Sequence, residues 1–424
     1  MDAIQIYGGN CLKGEVKIQG SKNAVLPVLA AALLINGTCE IENCPIISDV
    51  HHMLRLLESL CCEITKKNHT LIINTKNLSQ CDMPSDSVGV MRSSIMLLGA
   101  LLARMGSVSM QYPGGCVIGE RPIDLHLQAL RKMGVAIEER EDGFLAQTNG
   151  LVGAIHKLPL ASVGATENII LAAVLAKGDT IIENAAKEPE ICALCDFLSM
   201  AGAEIEGAGT DRILIHGVEK LHEVSYKVPA DRIVAGTYLC ACLCCGGEIF
   251  LQEAPYEQME AVIDAASHMG AVIVKSTNGI KVTCLERRKA LPELCTEIYP
   301  GFPTDLQSAF LTALTLAKGK SIIREEIFEN RFRIVPELRK MGAKISCDRH
   351  TAVVDGCEKL NGAILDANEL RGGAALVLAG SAAGGKTIVY NRHFIERGYE
   401  DICGDLRKLG VRCEVVDLKE EIEV

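Results

Sequence analysis

Cys116 lies in the stretch QYPGGCVIGERPIDLH, residues 111–126, where Pro113, Gly114 and Gly115 favour a turn or loop over regular structure. A thiol in such a loop is solvent-accessible, and a nearby cation, Arg121, lowers its pKa, which makes it a competent acid or nucleophile near neutral pH. Asp305, in PGFPTDLQSAF, opens a helical pattern as a candidate general base, with a helix N-cap as the plainer alternative. Around these two stand cations. Lys22, Arg92, Arg232 and Arg371 share one repeated slot, and Arg397, in YNRHFIERGYED, takes the loop position that corresponds to Cys116, Glu188 and Glu329. One group to remove a proton, another to supply one, and several cations without a Walker-type loop point to a substrate carrying phosphate and carboxylate groups rather than to a nucleoside triphosphatase.

The slot is defined by a sixfold repeat. Gly37, Gly106, Gly178, Gly247, Gly319 and Gly385 each follow a small-residue apolar run and precede a β-branched stretch, at gaps of 69, 72, 69, 72 and 66 residues. A second series, Gly134, Gly202, Gly270, Gly342 and Gly410, has Cys61 in the first copy's place. The period is too long for the common solenoids. Each copy reads helix, Gly turn, strand, loop, helix, Gly turn and strand pair. In the third copy, VGATENIILAAVLAKG is helical with Gly178 as an expected C-cap, DTIIENAA is a strand, EPEICALCDFLSMAGA an amphipathic helix and AEIEGAGTDRILIHG a hairpin. Strand pairs separated by helices indicate an α/β fold with helices covering the sheets, and six copies divide into two domains of three.

Fourteen or fifteen residues before each glycine of the first series, at the start of each first helix, stand Lys22, Arg92, Gly164, Arg232, Asp305 and Arg371. Ser21, Ser162 and Thr304 are the expected N-caps. A cation at a helix N-terminus adds positive charge to the positive end of the dipole, which is unfavourable unless an anion binds. One such residue reads as a solvated surface charge; four in equivalent slots read as an anion site.

Composition narrows the field. The chain has 424 residues, 48% hydrophobic, with 39 Gly and no Trp, so its core is built from small and aliphatic side chains. A net charge of -11 disfavours nucleic acid or an anionic membrane as the main partner. MDAIQIYGGN shows no secretory signal, and the longest apolar run, residues 24–35, is shorter than the roughly 20 residues needed to span a bilayer. Nineteen scattered cysteines fit free thiols in a reducing cytoplasm. Cys240, Cys242, Cys244 and Cys245 lie in an apolar helix without a zinc-motif spacing and read as buried thiols, and the Cys192/Cys195 pair has no second pair or nearby His, so no metal is expected.

The phrases GSKNAVLP, PGGCVIGERPIDLH, SVGAT, TDRI, FPTDLQ, FENRF and ERGYE resemble those of the UDP-N-acetylglucosamine 1-carboxyvinyltransferase family, enolpyruvyl transferases of the EPSP synthase-like superfamily, over essentially the whole chain. The resemblance implies a two-domain inside-out α/β barrel built from six βαβαββ-type units, three per domain. Domain one would run over 22–229 and domain two over 1–21 plus 230–424, with the active site in the cleft between them. It implies transfer of the enolpyruvyl group of phosphoenolpyruvate to the 3-hydroxyl of UDP-N-acetylglucosamine, the first committed step of peptidoglycan synthesis, in the cytoplasm, with no cofactor and no obligate protein partner. Lys22, Arg121 and Arg397 would hold phosphoenolpyruvate. Asn23, Arg92, Arg121, Pro122, Ile123, Asp124, Leu125, Ser162, Val163, Gly164, Asp305 and Ile327 would bind the UDP-sugar, with Arg371 a further substrate contact. Cys116 would be the proton donor, open to adduct formation and to alkylation by fosfomycin, and Asp305 the base for the sugar hydroxyl. Three residues depart from the family pattern: Glu369 stands for the usual Asp, Leu160 for a Lys found in some members, and Glu120 adds charge beside Arg121. A 5-enolpyruvylshikimate-3-phosphate synthase-type enzyme and a catalytically silent UDP-sugar-binding paralogue are the competing readings; the PGGC and RPIDL phrases argue against the first and intact Lys22, Cys116, Asp305 and Arg397 against the second.

Overall fold

The first helix of each repeat is apolar on nearly every side, which suits an interior position. In the computed structural model, which describes residues 2–79, 92–112, 114 and 123–417 and only the backbone of Arg92, these helices are Lys22–Ala31, Leu97–Met105, Val163–Ala173, Arg232–Cys245, Gln307–Thr315 and Leu370–Ala382. They are buried along almost their whole length. The second helices, such as Ser48–Ser59 and Asp124–Lys132, bury one face and expose the other.

The chain divides into two compact units, one drawn from residues 20–229 and the other from 1–19 and 230–424. Each has its own hydrophobic core. In the first unit the Lys22, Leu97 and Val163 helices pack on one another, and in the second the Arg232, Gln307 and Leu370 helices do the same. Sheets that bury alternate residues surround each helix trio, so each unit is an α/β barrel with its helices inside.

The third copy shows the sheet pattern. Ile155–Lys157 runs parallel to Asp179–Glu183, with Ile181 opposite Ile155; Arg212–His216 then pairs antiparallel with Asp179–Glu183 and with Glu204–Glu206. The fifth copy repeats this order with Leu294–Cys295, Lys320–Arg324, Thr351–Asp355 and Lys344–Cys347. The first and fourth copies exchange their leading strands. Leu12–Lys17 precedes the Lys22 helix but pairs with Gly247–Gln252 of the fourth copy, whereas Val224–Lys227 precedes the Arg232 helix but pairs with Thr38–Glu42 of the first. In the sixth copy the N-terminal strand Asp2–Tyr7 lies between Lys386–Tyr390 and Arg412–Asp417. Among the described residues the second copy's sheet has three strands, Ser107–Gln111, Ala136–Glu139 and Gly143–Gln147.

The second glycine series marks a required left-handed turn. Gly134, Gly202, Gly270, Gly342 and Gly410 all have φ between 90° and 101°, and Cys61, in the same slot, is forced to φ 69°. Gly178 is not the helix cap expected of it: the Val163 helix is capped by Val174, and Gly178 turns the chain into the Asp179 strand. Thr304 is not an N-cap either. It opens a 3-10 helix, Thr304–Leu306, whose cap position is Pro303, and its hydroxyl donates to the Glu325 carboxylate instead.

Candidate functional site

Each helix-start slot is held by a local device. Ser21 caps the Lys22 helix by accepting from the Ala24 amide at 3.3 Å, and Ser162 caps the Val163 helix by accepting from Ala165 at 3.3 Å. Lys22, the first residue of its helix, has its Nζ 3.5 Å from the buried carboxylate of Asp49, on the Ser48 helix. That carboxylate offsets the repulsion between the ammonium and the helix dipole. Asn23 is half-buried beside it.

At the Ser162, Val163 and Gly164 helix start, a Cβ on Gly164 would come within 3.1 Å of the His126 ring. Glycine therefore lets buried His126 lie against this start, and the ring is fixed in turn because its Nδ1 lies 2.9 Å from the Asn168 amide nitrogen. Asn168 also accepts from Gly99 N at 2.7 Å and donates to Ile95 O at 2.7 Å. Those two groups would bond each other in a continuous α-helix. The inserted amide instead joins the Arg92–Met96 3-10 turn to the Leu97 helix. Of the RPIDL phrase, Ile123 is buried in the core, Asp124 is exposed at the N-terminus of its helix, where the dipole favours a carboxylate, and Leu125 is half-buried.

In the second unit the site is an ion cluster. The Arg331 Nη2 lies 2.6 Å from one oxygen of Asp305, and the Arg371 Nη2 and Nε lie 2.9 and 3.2 Å from the other. Both guanidinium side chains are almost sealed, at 2% and 4% exposure, whereas Asp305 keeps 27%. The Asp305 carboxylate is thus the accessible tip of a buried assembly. Burial works most strongly against the Arg371 charge, but Asp305, Tyr399 and Asp231 together more than offset it and hold the guanidinium above the ordinary arginine range. Arg371 also donates to the Tyr399 hydroxyl at 3.4 Å, which is 2.8 Å from the Thr237 hydroxyl. Glu369 caps the Leu370 helix through the amides of Arg371 and Gly372, and one of its oxygens lies 3.8 Å from Arg331. The N-cap alternative for Asp305 does not hold, since its carboxylate is committed to two arginines.

Arg232 begins its helix behind the cap Asp231 and stacks over the Tyr299 ring, 5.2 Å from its centroid. Arg397 ends the 3-10 helix Arg392–Arg397 and is half-buried. The Ile327 amide donates to Glu325 at 3.1 Å. Leu160, where a lysine was the alternative, is 54% exposed. Cys116, Arg121, Pro122 and the Arg92 side chain lie outside the described residues. Cys240, Cys242 and Cys244 are buried, and burial raises the thiol pKa of Cys240 and Cys244 well above its ordinary value. Sequence reasoning missed Asp49, His126, Asn168, Glu325 and the part played by Arg331. Only Arg331 left a signal, a cation two residues after Glu329 in FENRF.

A family model described as EPSP synthase (3-phosphoshikimate 1-carboxyvinyltransferase) matches residues 6–406. The chain is 45% identical over 410 residues to UDP-N-acetylglucosamine 1-carboxyvinyltransferase 2 of Caldanaerobacter subterraneus subsp. tengcongensis, covering 97% of this chain and 98% of the relative. It is 43% identical over 412 residues to UDP-N-acetylglucosamine 1-carboxyvinyltransferase of Desulfovibrio desulfuricans, covering 97% and 99%. Among solved structures, the enolpyruvyl transferase NikO from Streptomyces tendae aligns with a TM-score of 0.88 at 25% identity over 98% of this chain and 99% of that one. An EPSP synthase from Acinetobacter baumannii aligns at 0.75 with 18% identity over 98% and 100%, which is a likeness of fold.

Proposed function

From the premise that this chain belongs to the EPSP synthase (3-phosphoshikimate 1-carboxyvinyltransferase) family, we propose that it transfers the enolpyruvyl group of phosphoenolpyruvate to the 3-hydroxyl of UDP-N-acetylglucosamine and releases phosphate. The observation that carries the choice of acceptor is the near-full-length similarity, at 45% and 43% identity, to two relatives named for that acceptor. The product would serve peptidoglycan synthesis in the cytoplasm. Among the described residues no helix is long and apolar enough to cross a membrane.

In this reading the reaction is an addition followed by an elimination. A proton goes to the methylene carbon of phosphoenolpyruvate, its neighbour becomes electrophilic, and the sugar oxygen adds there after losing its own proton. The methyl group of the adduct then gives up a proton as the phosphate leaves. Cys116 supplies the first proton. Asp305 accepts the hydroxyl proton, and Arg331 and Arg371 hold its carboxylate in one orientation for that transfer. The two guanidinium groups hold the carboxylate from both of its oxygens, so its contribution rests on placement. Lys22, Arg121 and Arg397 balance the phosphate and carboxylate charges of phosphoenolpyruvate, with fixed cations favouring charge that develops in the transition state. Ser162, Val163 and Gly164 offer a helix N-terminus, whose free amides suit the anionic part of a UDP-sugar.

The test is phosphate release from phosphoenolpyruvate with each of two acceptors. Release with UDP-N-acetylglucosamine and none with shikimate 3-phosphate is expected; the reverse pattern would falsify the assignment.

A further inference from the structure

Asp305 stands in the fifth copy, and that copy is built differently at the end of its central strand. In four other copies the residue just after this strand, Asn43, Asn184, Glu253 or Asn391, takes a left-handed conformation with φ of 54° to 62°. The three asparagines donate from their side-chain amides to carbonyls just ahead of a first helix: Asn43 to Val228 at 2.8 Å, Asn184 to Leu158 at 2.9 Å and Asn391 to Ala367 at 3.3 Å. Those carbonyls lie three to five residues before the helices that begin at Arg232, Val163 and Leu370.

In the fifth copy the corresponding backbone position is Thr296, whose amide donates to Arg324 O at 2.9 Å, and the helical segment begins eight residues later at Thr304. A side chain that grips the backbone next to Thr296 does not control so distant a helix start. Glu325 fills the Asn slot and is fully buried. Its carboxylate accepts from the Thr304 hydroxyl, 3.0 Å from each oxygen, and from the amides of Ile327 and Phe328, both at 3.1 Å. Its own amide donates to His350 O at 2.8 Å. Thr304 is held from the other side as well, its carbonyl accepting from Arg331 Nε at 3.3 Å. Glu325 thus fastens together the residue before Asp305 and the loop that delivers Arg331 to Asp305.

We propose that Glu325 is a positioning residue for the transferase reaction, holding Thr304 and the loop at residues 327–331 so that Asp305 and Arg331 meet in the orientation the acceptor hydroxyl requires. This rests on the transferase reading above. Glu325 touches no reacting atom; it acts through Thr304, the loop amides and Arg331.

Steady-state phosphate release decides the matter with T304V, T304S, E325Q and the double variant T304V/E325Q. Thr304 is half-buried at a helix start, so T304V removes the hydroxyl without unpacking the core. We expect kcat for T304V to fall roughly 10- to 100-fold with KM for phosphoenolpyruvate within about twofold, because misplacing a base lowers turnover without removing the cations expected to bind that substrate. T304S keeps the hydroxyl and should stay within about threefold of wild type, and the double variant should be no more than about threefold worse than the poorer single variant, since both break one linkage. Wild-type kcat in T304V, a T304S as impaired as T304V, or losses that multiply in the double variant would each overturn the proposal. If E325Q does not fold, the T304V and T304S pair decides alone. A wild-type protein inactive with UDP-N-acetylglucosamine would overturn the transferase reading and this proposal with it, whereas an active wild type with an unaffected T304V overturns the proposal only.

Discussion

Asp305 has its charge matched twice, by Arg331 and Arg371, and both partners are nearly sealed from water. Replacing it by asparagine keeps the shape and removes the charge that two buried guanidinium groups rely on. Breaking a buried pair from one side leaves an uncompensated charge, so D305N should cost about 2–3 kcal/mol of stability, at the lower end because Asp305 itself is partly exposed. Loss of the base should lower turnover by about 10²-fold or more. Urea unfolding together with phosphate release checks both, and a D305N protein of unchanged stability would contradict the ion cluster. At this scale the sequence was informative about residue type and poor about partners. Asp305 stood out as a lone carboxylate in a slot otherwise filled by cations. That it faces two arginines depends on the fold bringing 305, 331 and 371 together, and spacing along the chain carries no trace of that. Asp49 beside Lys22 was hidden for the same reason.

The interior helices explain why their starts are so constrained. The Val163 helix is buried along the face that carries Glu167, which is 1% exposed, and among the described residues its Oε2 has no hydrogen-bond partner. Burial raises its pKa well above the ordinary carboxyl value of 4.5, and the nearby Glu190 and Glu188 push it the same way. The folded chain therefore keeps a proton on Glu167 that the unfolded chain releases above about pH 4.5. The associated stability is fully present below that value and declines, by about 1.4 kcal/mol per pH unit, as pH rises towards the raised folded pKa. E167Q mimics the neutral acid and has no proton to lose. Thermal unfolding at pH 5 and pH 8 should show the variant gaining on wild type at the higher pH; equal shifts at both values would mean Glu167 is ionised in the fold. Periodicity disclosed this helix, the strand after it and the hairpin beyond. It misplaced Gly178 as a cap because the run of small apolar residues continues past Ala173, where the chain has already left the helix. Thr304 misled for a related reason: it has the right residue type for an N-cap, but it lies inside a 3-10 turn and the α-helix begins only at Gln307, while its hydroxyl donates to Glu325.

Across the whole molecule, the sixfold repeat revealed the unit and its count, but not the strand exchange between the first and fourth copies or the use of the N-terminal strand in the last sheet. Those pairings join segments hundreds of residues apart, and a local pattern of alternating residues looks the same whichever partner is taken. They have a consequence for stability. Asp2–Tyr7 is an inner strand, hydrogen-bonded on both sides, and its Ile4 and Ile6 are 1% and 0% exposed in the core of the unit that contains residues 230–424. The other unit buries a separate core. Ile6→Ala leaves a cavity beneath a strand that cannot shift without breaking two ladders, so a loss of about 3 kcal/mol is expected. Hydrogen exchange should place that loss at amides of the same core, such as Ile249, Val377 and Val389, and leave protection at Leu33, Ile170 and Ile213 of the other core unchanged. Equal loss in both cores would mean that the two units open as one cooperative body, and that the separation of their cores has no energetic counterpart.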